Sequence, residues 1–132
     1  MRITRNLVIV ALFLSLVAAS SGAASGTCSL VGTWSGTAKG GAFPGATVTM
    51  VFKGDGSYTG TIGAFGWGGN WTLKAGVFTL NDTSGSAPCP SAQVGGYNLT
   101  FAPSCNTVDF AATSDPCAGR AGVLDKLHFT RK

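Results

Sequence analysis

The feature that most constrains this chain is a period of two. In "ATVTMVFK", Val48, Met50 and Phe52 fall on one side of an extended strand, and Thr47 and Thr49 fall on the other. In "VGGYNLTFA", Tyr97, Leu99 and Phe101 alternate with Asn98 and Thr100. One apolar and one polar face is the signature of antiparallel sheet with a single buried side. Eight short runs of this kind can be read: 30–38, 46–53, 57–63, 70–74, 77–82, 94–102, 107–113 and 124–131. Gly, Asp, Ser and Pro punctuate them, and no segment after the first two dozen residues has helical periodicity.

The connections carry further information. Those after runs two, four and six are short ("GDG", "AG", "PSCN"), and those after runs one, three, five and seven are long ("KGGAFPG", "AFGWGG", "TSGSAPCPSAQ", "SDPCAGRAGV"). In a meander the odd and even connections lie at opposite ends. One end is therefore tight and the other carries every long loop. Closure of eight strands removes both free edges, so the expected fold is all-β, an eight-stranded antiparallel up-and-down barrel. A barrel of this size holds side chains or one small ligand.

The four cysteines fit that plan. Cys28 precedes the first run and Cys105 lies in the sixth connection, both at the tight end; Cys89 and Cys117 lie in the fifth and seventh, both at the mouth. A disulfide needs Cα atoms within about 7 Å. Only the pairing Cys28–Cys105 with Cys89–Cys117 avoids a bridge along the length of the barrel. A metal centre is not expected, because there is no Cys-x-x-Cys and His128 is the single histidine; no cofactor is expected either.

Disulfides belong to oxidising compartments, and the start of the chain agrees. Arg2 and Arg5 precede the uncharged run "LVIVALFLSLVAA", which is followed by small residues. That is the pattern of a secretory signal peptide over residues 1–24, with a single domain over residues 25–132 and a secreted location. The apolar run is shorter than the ~20 residues of a membrane span. Cys28 follows Thr27, a poor context for a lipid-anchored cysteine. Of 9 Lys and Arg against 5 Asp and Glu, two arginines fall in the leader. The remainder is only slightly basic and its charges are scattered, which argues against a nucleic-acid partner. Sequons at Asn70, Asn81 and Asn98 matter only where the host glycosylates exported proteins.

The segments "CSLVGTWSG" and "VTMVFKGDGSYTGTI" resemble the opening third of avidins and, more loosely, lipocalins, the calycin superfamily. Gly32-Thr33-Trp34 matches the Gly-x-Trp of the lipocalin first strand. The resemblance implies that Trp34 plugs the closed end and that an arginine near the end of the chain covers it, with Arg131 better placed than Arg120. "GNWTLK" is similar to a later avidin strand with an inward Trp, which would make Trp71 interior. The avidin bridge from before strand one to the connection after strand six agrees with Cys28–Cys105. Biotin binding is not implied: Gly36 stands where avidins carry an Asn, and Ile62 where they carry a Tyr. The tail is similar to that of small exported bacterial lipocalin-like proteins of undefined function.

The residues argue against an enzyme. Residues 25–132 contain no Glu, and Asp55, Asp82, Asp109, Asp115 and Asp125 are read as turn or outward positions; His128, between inward Leu127 and Phe129, faces water. The expected function is non-catalytic binding of a small apolar molecule at the open end. Candidate contacts are Phe43, Phe65 and Trp67 on the rim, Trp71 on the wall in the upper half of the barrel, and Tyr58, Ile62 and Tyr97 inside. The alternative is a filled barrel with Trp67 as its lid, serving as a protein-recognition module such as a hydrolase inhibitor or as a structural surface protein. Glycines at 36, 60, 63, 95 and 96 suit either, since small inward residues such as Gly60 leave space or permit kinks, and the sequence leaves both readings open.

Overall fold

The computed structural model describes residues 28–86 and 89–132. The leader expected over residues 1–24 lies outside the described residues. Eight strands follow one another: β1 (Gly32–Thr37), β2 (Thr47–Phe52), β3 (Ser57–Ile62), β4 (Phe65–Lys74), β5 (Val77–Gly85), β6 (Gly95–Phe101), β7 (Thr107–Ser114) and β8 (His128–Arg131), with a short helix, α1 (Ala118–Leu124), between the last two. Each strand is antiparallel to the next, and β8 pairs back on β1 to close the barrel.

The alternation read in the sequence sets the faces. Val48, Met50 and Phe52 of β2, Tyr58 and Ile62 of β3, and Phe78 and Leu80 of β5 are buried, with Tyr97, Phe110 and Phe129 completing the barrel interior. Below the mouth these rings pack edge to face and tilted. Phe78 lies 5.6 Å from Phe52 and 5.3 Å from Phe110, and Phe110 lies 5.1 Å from Phe129. Such arrangements add to the area buried. The lower barrel is filled.

The tight end is built around Trp34, which is fully buried. Its indole Nε1 donates to the Leu30 carbonyl at 2.8 Å. The Arg131 guanidinium lies 4.2 Å from the Trp34 ring centre and donates to the carbonyl oxygens of Val31 and Ser29 at 2.9 and 2.7 Å. Arg131 thereby covers the plug and ties down the segment that leads into β1. Cys28–Cys105 staples the same end, and Cys89–Cys117 the mouth, with Cα separations of 5.3 and 6.0 Å. Both pairings are those expected from the parity of the connections.

Two connections differ from expectation. The third is not a long loop: β4 begins at Phe65, and only Gly63 and Ala64 separate it from β3. Glycines read as loop punctuation lie within the strand, and opposite Gly68 and Gly69 the register against β5 shifts by one residue, with Thr83 of β5 as the extra residue of a bulge. The seventh connection contains α1, so β8 starts at His128 rather than residue 124. "AGRAGVL" is too short, and too rich in glycine, to show a helical period. Its inward residues are Arg120 and Leu124, four apart on one face, and one of them is charged.

Candidate functional site

The odd connections converge at the mouth around a cavity of about 340 Å³. Phe43 comes from the first connection, Ile62 and Phe65 flank the β3–β4 turn, Trp67 comes from β4, and Val123 and Leu124 come from α1. The Cys89–Cys117 bridge forms part of the wall, and Asp82 and Arg120 supply its charged groups. Phe43 and Phe65 stand at the opening with ring centres 5.0 Å apart, and they remain 37 % and 41 % exposed.

Trp67 is held by an absence. It pairs with Gly60 across β3 and β4, and a Cβ built on Gly60 would lie 2.5 Å from the indole and 2.8 Å from the Met50 sulfur. The space left by Gly60 is therefore filled by the Trp67 ring, which is half-buried. Trp67 thereby forms part of the cavity wall.

Beneath the apolar walls lies a polar network absent from the sequence reading. Asp82 follows Phe78 and Leu80 on the inner face of β5 and is buried. It accepts hydrogen bonds from the Tyr58 hydroxyl and, at 3.1 Å, from the Cys89 N–H. Asp115 accepts from the Tyr97 hydroxyl and, at 3.0 Å, from the Cys117 N–H. Each carboxylate thus joins one barrel tyrosine to one half of the mouth disulfide. Arg120 reaches in from α1 between them. Its Nε and Nη2 donate to Asp115 and its Nη2 also to the Gln93 carbonyl, while its Nη1 lies 3.3 Å from Asp82 Oδ1. Gly95 makes room for this cluster: a Cβ there would sit 2.7 Å from Asp115 Oδ2 and 3.1 Å from Arg120 Nε.

The environment sets the protonation states. Burial, reinforced by the hydrogen bond to Asp82, pushes the Tyr58 hydroxyl well above its ordinary value, and burial with Asp115 does the same for Tyr97. Burial alone would raise Asp115, but hydrogen bonds from Arg120, Tyr97 and the Cys117 N–H outweigh it and leave the carboxyl below its ordinary value. Burial likewise opposes the charge of Arg120, and the two aspartates more than offset it. These shifts favour two neutral phenols, a charged guanidinium and an ionised Asp115.

The residues expected to meet at a ligand site therefore separate into three places. Phe43, Ile62, Phe65 and Trp67 surround the cavity. Tyr58 and Tyr97 lie below its floor with their hydroxyls on the carboxylates. Trp71 is not in the upper half of the barrel: its Nε1 donates to the carbonyls of Lys53 and Ser57 at the tight β2–β3 turn, and its ring packs 5.6 Å from Phe52. The expectation that Asp82 is an outward or turn position is also corrected. The Phe78, Leu80 alternation, continued by one step, places it inward. His128 does face water, paired at 2.6 Å with the exposed Asp109.

Among the described residues, no group of three His, Cys, Asp or Glu side chains is placed to hold a metal ion, and no helix is long and apolar enough to cross a membrane. Fold and site together define a closed, disulfide-stapled antiparallel barrel with a filled lower half and an apolar mouth cavity above a charged floor. No protein-family model, curated protein or solved structure matches the chain.

Proposed function

We propose that this is an exported, non-catalytic binding protein of the calycin type that holds a small, largely apolar molecule in its mouth. The observation that carries the reading is the 340 Å³ cavity walled by Phe43, Ile62, Phe65, Trp67, Val123 and Leu124. It lies at the lower end of the range of small-molecule sites, which are mostly apolar with a few placed polar groups. The stacking of Arg131 on Trp34 supports the calycin assignment, and the two disulfides fit an oxidising compartment. The buried network favours binding over catalysis. Both phenols keep their protons, and the carboxylates already accept hydrogen bonds from backbone, tyrosine or arginine, so none of these groups is poised as a nucleophile with its own base.

The exposed Phe43–Phe65 pair favours a second reading, recognition of a protein partner by the mouth. Native mass spectrometry of the protein purified from its own source separates the two. A small-molecule adduct is expected, and it should be lost in Val123→Trp, which fills the cavity from the half-buried face of α1. Purification without an adduct, together with no binding of apolar probes, would turn the assignment toward the protein partner or a structural role.

A further inference from the structure

The mouth cavity changes character between its opening and its floor. Ala42, Phe43, Phe65 and Gly119 line it and are exposed, so they frame the opening. Ile62, Leu124, Asp82 and Arg120 line it and are buried, so they form the floor. The polar groups of that floor are engaged with one another. Asp82 accepts from the Tyr58 hydroxyl on Oδ1 and from the Cys89 N–H on Oδ2. Arg120 gives Nε and Nη2 to Asp115 and the Gln93 carbonyl. Its Nη1 makes no hydrogen bond, but it is sealed within the network 3.3 Å from Asp82 Oδ1. The Asp82 and Arg120 side chains are each 3 % exposed. On the wall, Gly66 directs both its N–H and its C=O to Ser86.

This gradient decides which way a ligand lies. A hydroxyl or amide carried to the floor would exchange water for apolar contacts, which is unfavourable, and a charge carried there fares worse. A ligand that took Asp82 or Arg120 as its partner would have to break a bond within a buried ion pair, which is strongly destabilising. At the opening the penalty disappears, because water reaches a polar group held beside Phe43 and Phe65. Resting on the binding reading above, we infer that the mouth takes molecules with polar groups at one end only. The hydrocarbon end lies down against Ile62, Trp67 and Leu124, and the polar end stays in water between Phe43 and Phe65. A molecule polar at both ends is disfavoured whatever its size.

Three rigid probes of one outline test this by calorimetric titration of the intact disulfide-bonded protein: naphthalene, β-naphthol with one terminal hydroxyl, and the naphthalene diol with a hydroxyl at each end of its long axis. Naphthalene and β-naphthol should bind with similar affinity, because the single hydroxyl can remain in water. The diol must take one hydroxyl to the floor and should bind about tenfold or more weakly than β-naphthol, as desolvation of an unpaired hydroxyl requires. Fluorescence reports the direction of entry without any variant. Excited β-naphthol passes its proton to water, so the bound probe should keep its naphtholate emission. Equal binding of β-naphthol and the diol, or loss of the naphtholate emission on binding, would show a polar partner inside the cavity, such as the Trp67 indole N–H. Either result overturns this inference and leaves the cavity reading standing. Binding of none of the three removes the cavity reading, and this inference with it.

Discussion

Arg120 grips Asp115 through two parallel hydrogen bonds, Nε to Oδ2 and Nη2 to Oδ1, each 2.8 Å long. The fork matches the carboxylate, which is what distinguishes arginine from lysine at such a site. Because Asp82 lies on the other side of the same guanidinium, loss of Arg120 strands two buried carboxylates. Arg120→Leu should therefore lose about 3–5 kcal/mol of stability, the range for breaking a buried pair from one side. Urea denaturation checks this. A loss below about 1 kcal/mol would mean that water enters the network freely.

The same pair predicts an acid limb. The Asp115 carboxyl is held below its ordinary value in the folded protein, while an unfolded aspartate titrates near 3.9. Between the two values the unfolded chain binds a proton that the folded chain does not, so stability rises with pH. The contribution is present above about pH 4 and is lost as the pH falls through the folded value. Asp115→Asn should be less stable at neutral pH, and its stability should vary less steeply below about pH 4. An unchanged slope would assign the acid sensitivity to other groups.

Much of the fold was legible because its determinants are local or topological. Alternation at Val48, Met50 and Phe52 marks the faces, and the parity of the connections is enough to pair the four cysteines. The candidate site was half legible. Phe43, Phe65 and Trp67 were visible as aromatics near the mouth. Asp82, Asp115 and Arg120 were not, because charged residues are read as outward by default. Their burial depends on partners far apart in the chain. Arg120 lies 38 residues from Asp82, and only the closed barrel brings them together. Gly60 and Gly95 raised the question of empty space, but a sequence does not say that an indole fills one and an ion pair the other.

The two tyrosines offer a spectroscopic test of the network. Tyr58 and Tyr97 are the only tyrosines in the chain, and burial raises both far above the ordinary value. A group whose folded pKa is raised contributes stability below its unfolded value, about 10 for tyrosine, and loses it as the pH climbs further. Native protein should show no phenolate absorbance between about pH 10 and 11. The signal should then appear for both residues together, with loss of the barrel circular dichroism. Titration of one tyrosine near pH 10 in the folded state would place its hydroxyl in water and contradict its bond to the carboxylate.

At the other end of the barrel, Trp34→Ala should cost about 3–5 kcal/mol as a truncation of a fully buried aromatic. It also removes the surface on which Arg131 stacks. Binding at the mouth should be unchanged in whatever fraction remains folded. A loss below about 1 kcal/mol would show that the tight end does not depend on this plug.

Trp67 and Trp71 lie four residues apart on one strand and should respond differently, because they serve opposite ends of the barrel. Trp71 packs against Phe52 and Phe78 and hydrogen-bonds to the tight β2–β3 turn. Trp71→Ala should cost about 2–4 kcal/mol, somewhat below a fully buried aromatic, with the mouth cavity intact. Trp67 occupies the hollow above Gly60 and also walls the cavity. Trp67→Ala should cost less, about 1–3 kcal/mol for a half-buried ring, and should change the affinity of apolar probes. Gly60→Ala provides the complement. A Cβ 2.5 Å from the indole must drive the ring toward the cavity and reduce its volume, so probe binding should weaken without removal of any wall residue. Thermal melts and probe titrations of the three variants separate these effects. If Gly60→Ala leaves probe binding unchanged while Trp71→Ala abolishes it, the ligand site is not in the mouth.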